Sequence, residues 1–234
     1  MGKCGNVKKQ AVTRLFLVRH GETQLSAEDR FAGSINPELS EGGIFQARRL
    51  AERLADDEIA AVYCSPLIRT VQTAEILALP HDLQPIHRDG LREIGHGHWE
   101  GMERAEVENR FSEEYASWNQ DPYTFAPQGG EAGVNVIARS LPIIRSIVLA
   151  HQGQNVLIVS HKATLRLLIS SLLGFDGRGY RDRLDQSPAC LNILDFRDPV
   201  RARLMLFNDV SHYEDYPQKP SRQLSDWWDS ATLE

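Results

Sequence analysis

Short apolar runs alternate with longer segments of helical period along this chain, and their order predicts the fold class. Leu15–Val18, Ala61–Cys64 and Asn155–Ser160 are compact apolar or β-branched runs, each followed by a stretch with helix-forming character. Four consecutive apolar residues at 15–18 need both faces covered, as in a parallel strand flanked by helices. Ser40 is placed to cap a helix from Glu41 to about Asp56, with Ile44, Ala47, Leu50, Ala51 and Leu54 on one face. Ser65 and Pro66 supply the cap and first-turn signals of a second helix, Pro66 to about Leu79. A third helix is predicted over 103–119, where Val107, Phe111, Tyr115 and Trp118 recur at helical spacing as a core stripe. After the Pro- and Gly-rich loop Asp121–Gly133, further helices run through Val134, Ile137, Leu141 and Ile144, where Pro142 predicts a kink, and through Leu165, Leu168, Ile169 and Leu172. Leu191–Phe196 and Arg203–Phe207, joined by Arg197-Asp198-Pro199, predict a hairpin that extends the sheet with antiparallel pairing at one edge. The chain therefore reads as one α/β domain with a mostly parallel sheet.

Chemistry collects where the strands end. Arg19 and His20 follow the first run directly, and the carboxyl ends of such strands open on the crevice where α/β sheets bind ligands. Gly21 permits a tight turn whose successive N–H groups would form a nest for an anion. His161 follows Asn155–Ser160 in the same way, so two strands of one sheet present a histidine at the same edge. Arg69 lies in the first turn of the helix after Ala61–Cys64, where N–H groups and the helix dipole favour an anion. Leu91-Arg92-Glu93-Ile94-Gly95 follows the strand-like segment 84–88 and offers a carboxyl near Trp99, where desolvation would keep the acid protonated.

Two imidazoles, two guanidiniums and a carboxyl are the groups needed to move a phosphoryl group through a histidine. One histidine must be neutral to attack phosphorus, while the other, if protonated, can join the arginines around the phosphoryl oxygens. The carboxyl then gives its proton to the leaving alkoxide and takes one from the attacking water.

Composition narrows the partners. The 234 residues carry a net charge of −6 with scattered Lys and Arg, which argues against a nucleic-acid surface. Three cysteines, Cys4, Cys64 and Cys190, form no paired framework, and a reducing cytoplasm is the expected compartment. No membrane span or signal-peptide core is expected from the apolar runs. Residues 1–12, with Lys3, Lys8 and Lys9, read as a flexible tail. Residues 211–234 read as a C-terminal extension whose Trp227 and Trp228 would dock on the body or on a second subunit.

Five motifs stand in one order: Arg19-His20-Gly21-Glu22-Thr23, Ser65-Pro66-Leu67-Ile68-Arg69-Thr70 with Gln72-Thr73-Ala74, Leu91-Arg92-Glu93-Ile94, Trp99-Glu100-Gly101, and Val159-Ser160-His161. Over roughly residues 14–207 they resemble the histidine phosphatase superfamily, also called the phosphoglycerate mutase-like family. The resemblance implies a three-layer α/β/α sandwich over 13–210, with a mostly parallel central sheet, one antiparallel edge, and a helical insertion at 95–133 lying over the active site and setting substrate choice. It implies His20 as the nucleophile that becomes phosphohistidine, Arg19, Arg69 and His161 as holders of the phosphoryl oxygens, and Glu93 as general acid and base. Arg19, Gly21, Thr23, Ser26, Arg69 and Lys162 are the candidate substrate-binding residues. Neither metal nor cofactor is implied, and the partner is a small-molecule phosphate ester. Family members often dimerise through a sheet edge, which leaves a homodimer open.

Two positions depart from the family pattern. Ser26 stands where many members have an asparagine of the phosphate pocket, and its shorter side chain leaves that contact to water. Lys162 follows the second histidine where glycine is common. It is either a solvated lysine at a helix start or a residue of the substrate mouth that binds a second anionic group such as a carboxylate. Glu131 is expected at a helix start rather than on the substrate. His96 and His98 form a His-x-His pair that lacks a third ligand at zinc-site spacing, and they read as loop histidines beside the mouth. The pattern Gly97-His98-Trp99-Glu100-Gly101 resembles the phosphatase branch. The function implied is a phosphoric monoester hydrolase of the histidine acid phosphatase type, acting on a small cytosolic ester. A mutase that returns the phosphoryl group to another hydroxyl, and a catalytically silent module that binds a phosphorylated ligand, are the alternatives.

Overall fold

Strand β1 (Thr13–Arg19) is buried on both faces, and its alternation divides the interior into two cores. In the computed structural model, which describes residues 11–28 and 30–214, Leu15 and Leu17 face one core and Phe16 and Val18 the other. The first core is closed by Ile144, Ile147 and Val148 of one helix and Leu165, Leu168 and Ile169 of another. The second is closed by Leu50, Ala51 and Leu54 on one helix and Ala74, Leu77 and Ala78 on the next. Each fully buried apolar side chain of β1 contributes about 2 kcal/mol, so the strand is fixed by its two coats of helix.

After β1 come α1 (Gln24–Ala27), α2 (Glu41–Leu54), β2 (Ile59–Cys64), α3 (Ile68–Ala78) and β3 (Ile86–His87). An insertion then carries α4 (Arg104–Arg110) and α5 (Ser112–Gln120). The chain returns through α6 (Gly133–Ala150), β4 (Asn155–Ser160), α7 (Lys162–Leu173), α8 (Tyr180–Arg183), β5 (Leu191–Phe196) and β6 (Ala202–Asp209). The sheet order is β3-β2-β4-β1-β5-β6. The first four strands in that order pair in parallel, and β5 is antiparallel to both β1 and β6. Helices α2 and α3 cover one face and α6 and α7 the other, which is the expected three-layer sandwich with an antiparallel edge.

The insertion has its own aromatic core of Phe31, Trp99, Val107, Tyr115 and Trp118. The single helix expected over 103–119 is two helices, because Phe111 leaves helical geometry at φ −133 and ψ 46. The break re-aims α5 so that Tyr115 and Trp118 reach Trp99 and Phe31. Pro142 lies inside α6 without ending it. By length and composition α6 is apolar enough to cross a membrane, contrary to the sequence expectation. In this fold its apolar residues enter the sheet core, and Arg139 on the same helix pairs with Glu131.

Cys64 and Cys190 are buried and free, and burial pushes both thiols up to about 12. Val210 is buried and the Tyr213 hydroxyl donates to Pro188 O at 2.6 Å, so the start of the C-terminal extension packs on the loop before β5. Cys4, the lysines of the tail, Trp227 and Trp228 lie outside the described residues.

Candidate active site

Adjacent parallel strands put the two histidines together. β1 and β4 pair with Arg19 opposite Ser160, so His20 and His161 leave the sheet side by side, with ring centroids 5.3 Å apart. The His20 amide donates to Ser160 O at 3.0 Å, and its Nδ1 lies 2.7 Å from Gly21 O. A carbonyl oxygen only accepts, so Nδ1 carries the proton and Nε2 keeps its lone pair. Burial, then the charges of Arg69 and Arg19, push this imidazole well below 6.5, and it is neutral near pH 7.

His161 is held from behind. Its Nε2 lies 2.8 Å from Ser65 Oγ, and the Leu67 amide donates to the same oxygen at 3.3 Å. In the tautomer that takes a proton from this hydroxyl at Nε2, the ring proton sits on Nδ1. That role explains why Ser65 is not the cap of α3, which starts later, with Leu67 at the N-cap position and no side-chain cap bond. Burial and the charges of Arg69 and His20 hold His161 well below 6.5.

The guanidiniums of Arg19 and Arg69 are buried and anchored on backbone carbonyls. Arg19 Nη1 donates to Gln186 O at 2.7 Å, and Arg69 donates to Ile35 O at 2.8 Å and Gly33 O at 3.0 Å. Burial lowers Arg69 to about 10, which leaves it cationic at neutral pH. Arg19 Nε, Arg69 Nε and His161 Nδ1 are buried without a hydrogen-bond partner. Each unsatisfied buried donor costs about 1–3 kcal/mol, and an oxyanion beside His20 removes that cost.

Glu93 reaches the site from the loop after β3, held by the start of α7. Its carboxylate accepts from the Ala163 and Thr164 amides and from the Thr164 hydroxyl, all at 3.1 Å. Trp99 packs in the aromatic core of the insertion. Arg139 of α6 fastens the loop that carries Glu93: it donates to Gly90 O, Arg92 O and Glu93 O, and holds both oxygens of Glu131 at 2.8 Å.

Three expected contacts take a different form. Gly21 forms no anion nest, because its N–H donates to Thr73 Oγ1 at 3.1 Å and the Arg19 and His20 amides serve the sheet edge. Glycine is required there by close packing: a Cβ at Gly21 would lie 2.5 Å from Gly43 O of α2. Thr23 and Ser26 line the cavity, yet their hydroxyls close a capping box on α1.

The site opens on a cavity of about 430 Å³. His161 is fully buried behind His20, whereas Arg19, His20, Arg69 and Glu93 line the wall. Lys162 lines it too instead of pointing to solvent; its Nζ lies 3.8 Å from Asp185 Oδ1, and burial lowers it to about 7. The two loop histidines diverge. His96 lines the cavity against Phe31 and is pushed by burial to about 4, while His98 turns to Gln128 O and Glu114. Among the described residues no group of three acids, histidines or cysteines could hold a metal ion.

Sequence reasoning missed Ser65 as a histidine partner, Arg139, Arg166 and Arg181. The last two line the cavity and are almost fully buried. Arg166 left a trace in the sequence, since it interrupts the apolar run Leu165, Leu167, Leu168 of α7.

Two histidines at adjacent strand ends stand beside two buried arginines and a carboxyl that line one cavity. The family model of the histidine phosphatase superfamily (branch 1) matches residues 15–210, and the chain belongs to that family. Phosphoserine phosphatase 1 of Hydrogenobacter thermophilus is 36% identical over 165 residues, covering 70% of this chain and 78% of that protein. Glucosyl-3-phosphoglycerate phosphatase of Mycolicibacterium vanbaalenii is 34% identical over 171 residues, covering 70% and 75%. The solved structure of Bacillus stearothermophilus YhfR superposes with a TM-score of 0.81 at 33% identity, covering 86% of this chain and all of that one.

Proposed function

We propose that this protein hydrolyses a small phosphate monoester through a phosphohistidine on His20 Nε2. The observation that carries the reading is a neutral His20 with Nε2 free, set among three buried donors that have no acceptor. Arg19, Arg69 and His161 Nδ1–H bind the phosphoryl oxygens and stabilise the charge that spreads over them in the transition state. The Nε2 lone pair forms the N–P bond as the ester P–O bond breaks, and Glu93 gives its proton to the departing alkoxide. Water then attacks phosphorus, loses a proton to Glu93, and releases phosphate and neutral His20. The phosphoserine and glucosyl-3-phosphoglycerate phosphatases among the relatives favour water over a second hydroxyl as the acceptor.

The test is phosphate release from a panel of monoesters in the presence of a chelator, by wild type, His20→Ala and Glu93→Gln. Release by wild type, its loss in His20→Ala and a fall of about a hundredfold or more in Glu93→Gln supports the mechanism. Isomerised esters without free phosphate would turn the reading to a mutase, and tight binding without turnover to a silent binding module.

A further inference from the structure

The loop 185–190 between α8 and β5 carries the carbonyl that holds Arg19, and its backbone is clamped by side chains that the mechanism does not use. Arg19 Nη1 donates to Gln186 O at 2.7 Å. The N–H of that same peptide unit belongs to Ser187 and donates to Asn208 Oδ1 at 2.6 Å, near the end of β6. A trans peptide unit is planar, with its C=O and N–H pointing in opposite directions, so the Asn208 side chain sets the plane in which the Gln186 oxygen meets the guanidinium. The loop is also tied to the nucleophile's turn, since the Ala189 amide donates to His20 O at 3.1 Å.

Behind this peptide lies a closed set of amides. The Asn208 N–H donates to Asn192 Oδ1 at 2.9 Å. Asn192 of β5 and Gln186 exchange two hydrogen bonds, Gln186 Nε2 to Asn192 Oδ1 at 2.9 Å and Asn192 Nδ2 to Gln186 Oε1 at 2.8 Å. Asn192 Nδ2 also donates to Leu17 O of β1 at 3.2 Å. Two backbone groups, the Asn208 N–H and the Leu17 carbonyl, thus fix which end of the Asn192 amide is which. The ring runs from the Gln186 side chain through Asn192, Asn208 and Ser187 back to the Gln186 backbone. Gln186 and Asn192 are fully buried. Apolar side chains of that size would be cheaper to bury, whereas a fully bonded polar network specifies one geometry. The β5–β6 register shifts between Leu191 and Ile193, and such a bulge re-aims a side chain out of the ladder. Asn208 holds φ at 47, a left-handed conformation that asparagine tolerates and most residues do not.

We infer that Asn208, Asn192 and Gln186 form a positioning network that aims the Arg19 guanidinium at the phosphoryl oxygens by fixing the Gln186 carbonyl. The three residues act through Arg19. The inference rests on the phosphatase reading for its ligand and on the hydrogen-bond ring for its residues. All three side chains are neutral amides, so the aim of Arg19 does not change over the pH range in which histidines titrate.

The test is a double-mutant cycle read by calorimetric binding of inorganic phosphate, with kcat/KM for a monoester measured beside it. Asn208→Gly keeps the left-handed backbone and removes the acceptor of the Ser187 N–H, whereas Asn208→Asp keeps that acceptor. Asn208→Gly is expected to weaken phosphate binding about fivefold or more and to lower kcat/KM about tenfold or more, and Asn208→Asp to recover most of both. In an Arg19→Met background, Asn208→Gly has no further effect on phosphate affinity or kcat/KM, because the group it aims is gone. Gln186→Met keeps the carbonyl and leaves both ends of the Asn192 amide with a partner, and it gives the same pattern if Asn208→Gly fails to fold. Unchanged phosphate affinity in both variants, an equal loss in the Arg19→Met background, or no phosphate binding by wild type overturns the positioning role. The expected binding pattern in a protein that hydrolyses no ester would instead remove the hydrolase reading and leave the positioning role standing.

Discussion

The Ser65 hydroxyl, 96 residues away in sequence, lies 2.8 Å from His161 Nε2 and is its hydrogen-bond partner. Ser65→Ala leaves Nε2 buried without a partner and frees the ring proton to move there, away from the phosphoryl oxygens. We expect kcat to fall about ten- to a hundredfold with a smaller change in KM, and Ser65→Thr to recover part of the loss. Steady-state kinetics and the pH profile of the three proteins check it. An unchanged kcat in Ser65→Ala would show that the tautomer is set elsewhere.

Gly21→Ala tests the packing of the nucleophile's turn. The added methyl meets backbone atoms of Gly43, which no side-chain rotation can relieve. Thermal unfolding should report a loss of about 1–3 kcal/mol. Stability equal to wild type would mean that α2 can move away from β1 at no cost.

Arg139 is predicted to act on the general acid through the loop it fastens. Arg139→Met removes bonds to three carbonyls and leaves Glu131 unpaired, so stability falls by about 2–4 kcal/mol. Misplacement of Glu93 slows esters with poor leaving groups more than p-nitrophenyl phosphate, whose leaving group needs little protonation. Equal slowing of both classes would reduce Arg139 to a purely structural residue.

Acid should destabilise the fold through its buried histidines. His20 and His161 are held well below 6.5, and His96 and His212 at about 4, all chiefly by burial. Below pH 6.5 the unfolded chain binds protons that the native state refuses, so stability is fully present above 6.5 and is lost as pH falls towards 4. Each histidine contributes a slope of up to about 1.4 kcal/mol per pH unit in that window. Urea midpoints between pH 7 and 4.5 measure it, and His96→Gln should give a shallower fall than wild type. A midpoint constant from pH 6.5 to 5 contradicts the assignment.

How much was legible in the sequence follows from how local each signal is. The strand that ends in His20 and the strand that ends in His161 are written in short apolar runs, and parallel pairing brings their ends together without further information. Arg69 and Glu93 were readable for the same reason, as residues at the ends of recognisable segments. The partners that hold them were not: Ser65 looked like an ordinary helix cap, and nothing in the apolar pattern of its helix singled out Arg139. Gly21 was read as a tight turn with an anion nest because a close approach to Gly43 depends on how α2 packs on β1. The break at Phe111 was hidden because both halves keep the helical spacing of the aromatic stripe.

The central claim is a covalent bond between phosphorus and His20. The direct measurement is rapid-quench trapping with a phosphorus-labelled ester, followed by peptide mapping. The account predicts a label that is stable to alkali, labile to acid, located on His20 and absent from His20→Ala. Turnover at full rate with no trapped label at any time, or a label retained by His20→Ala, contradicts it.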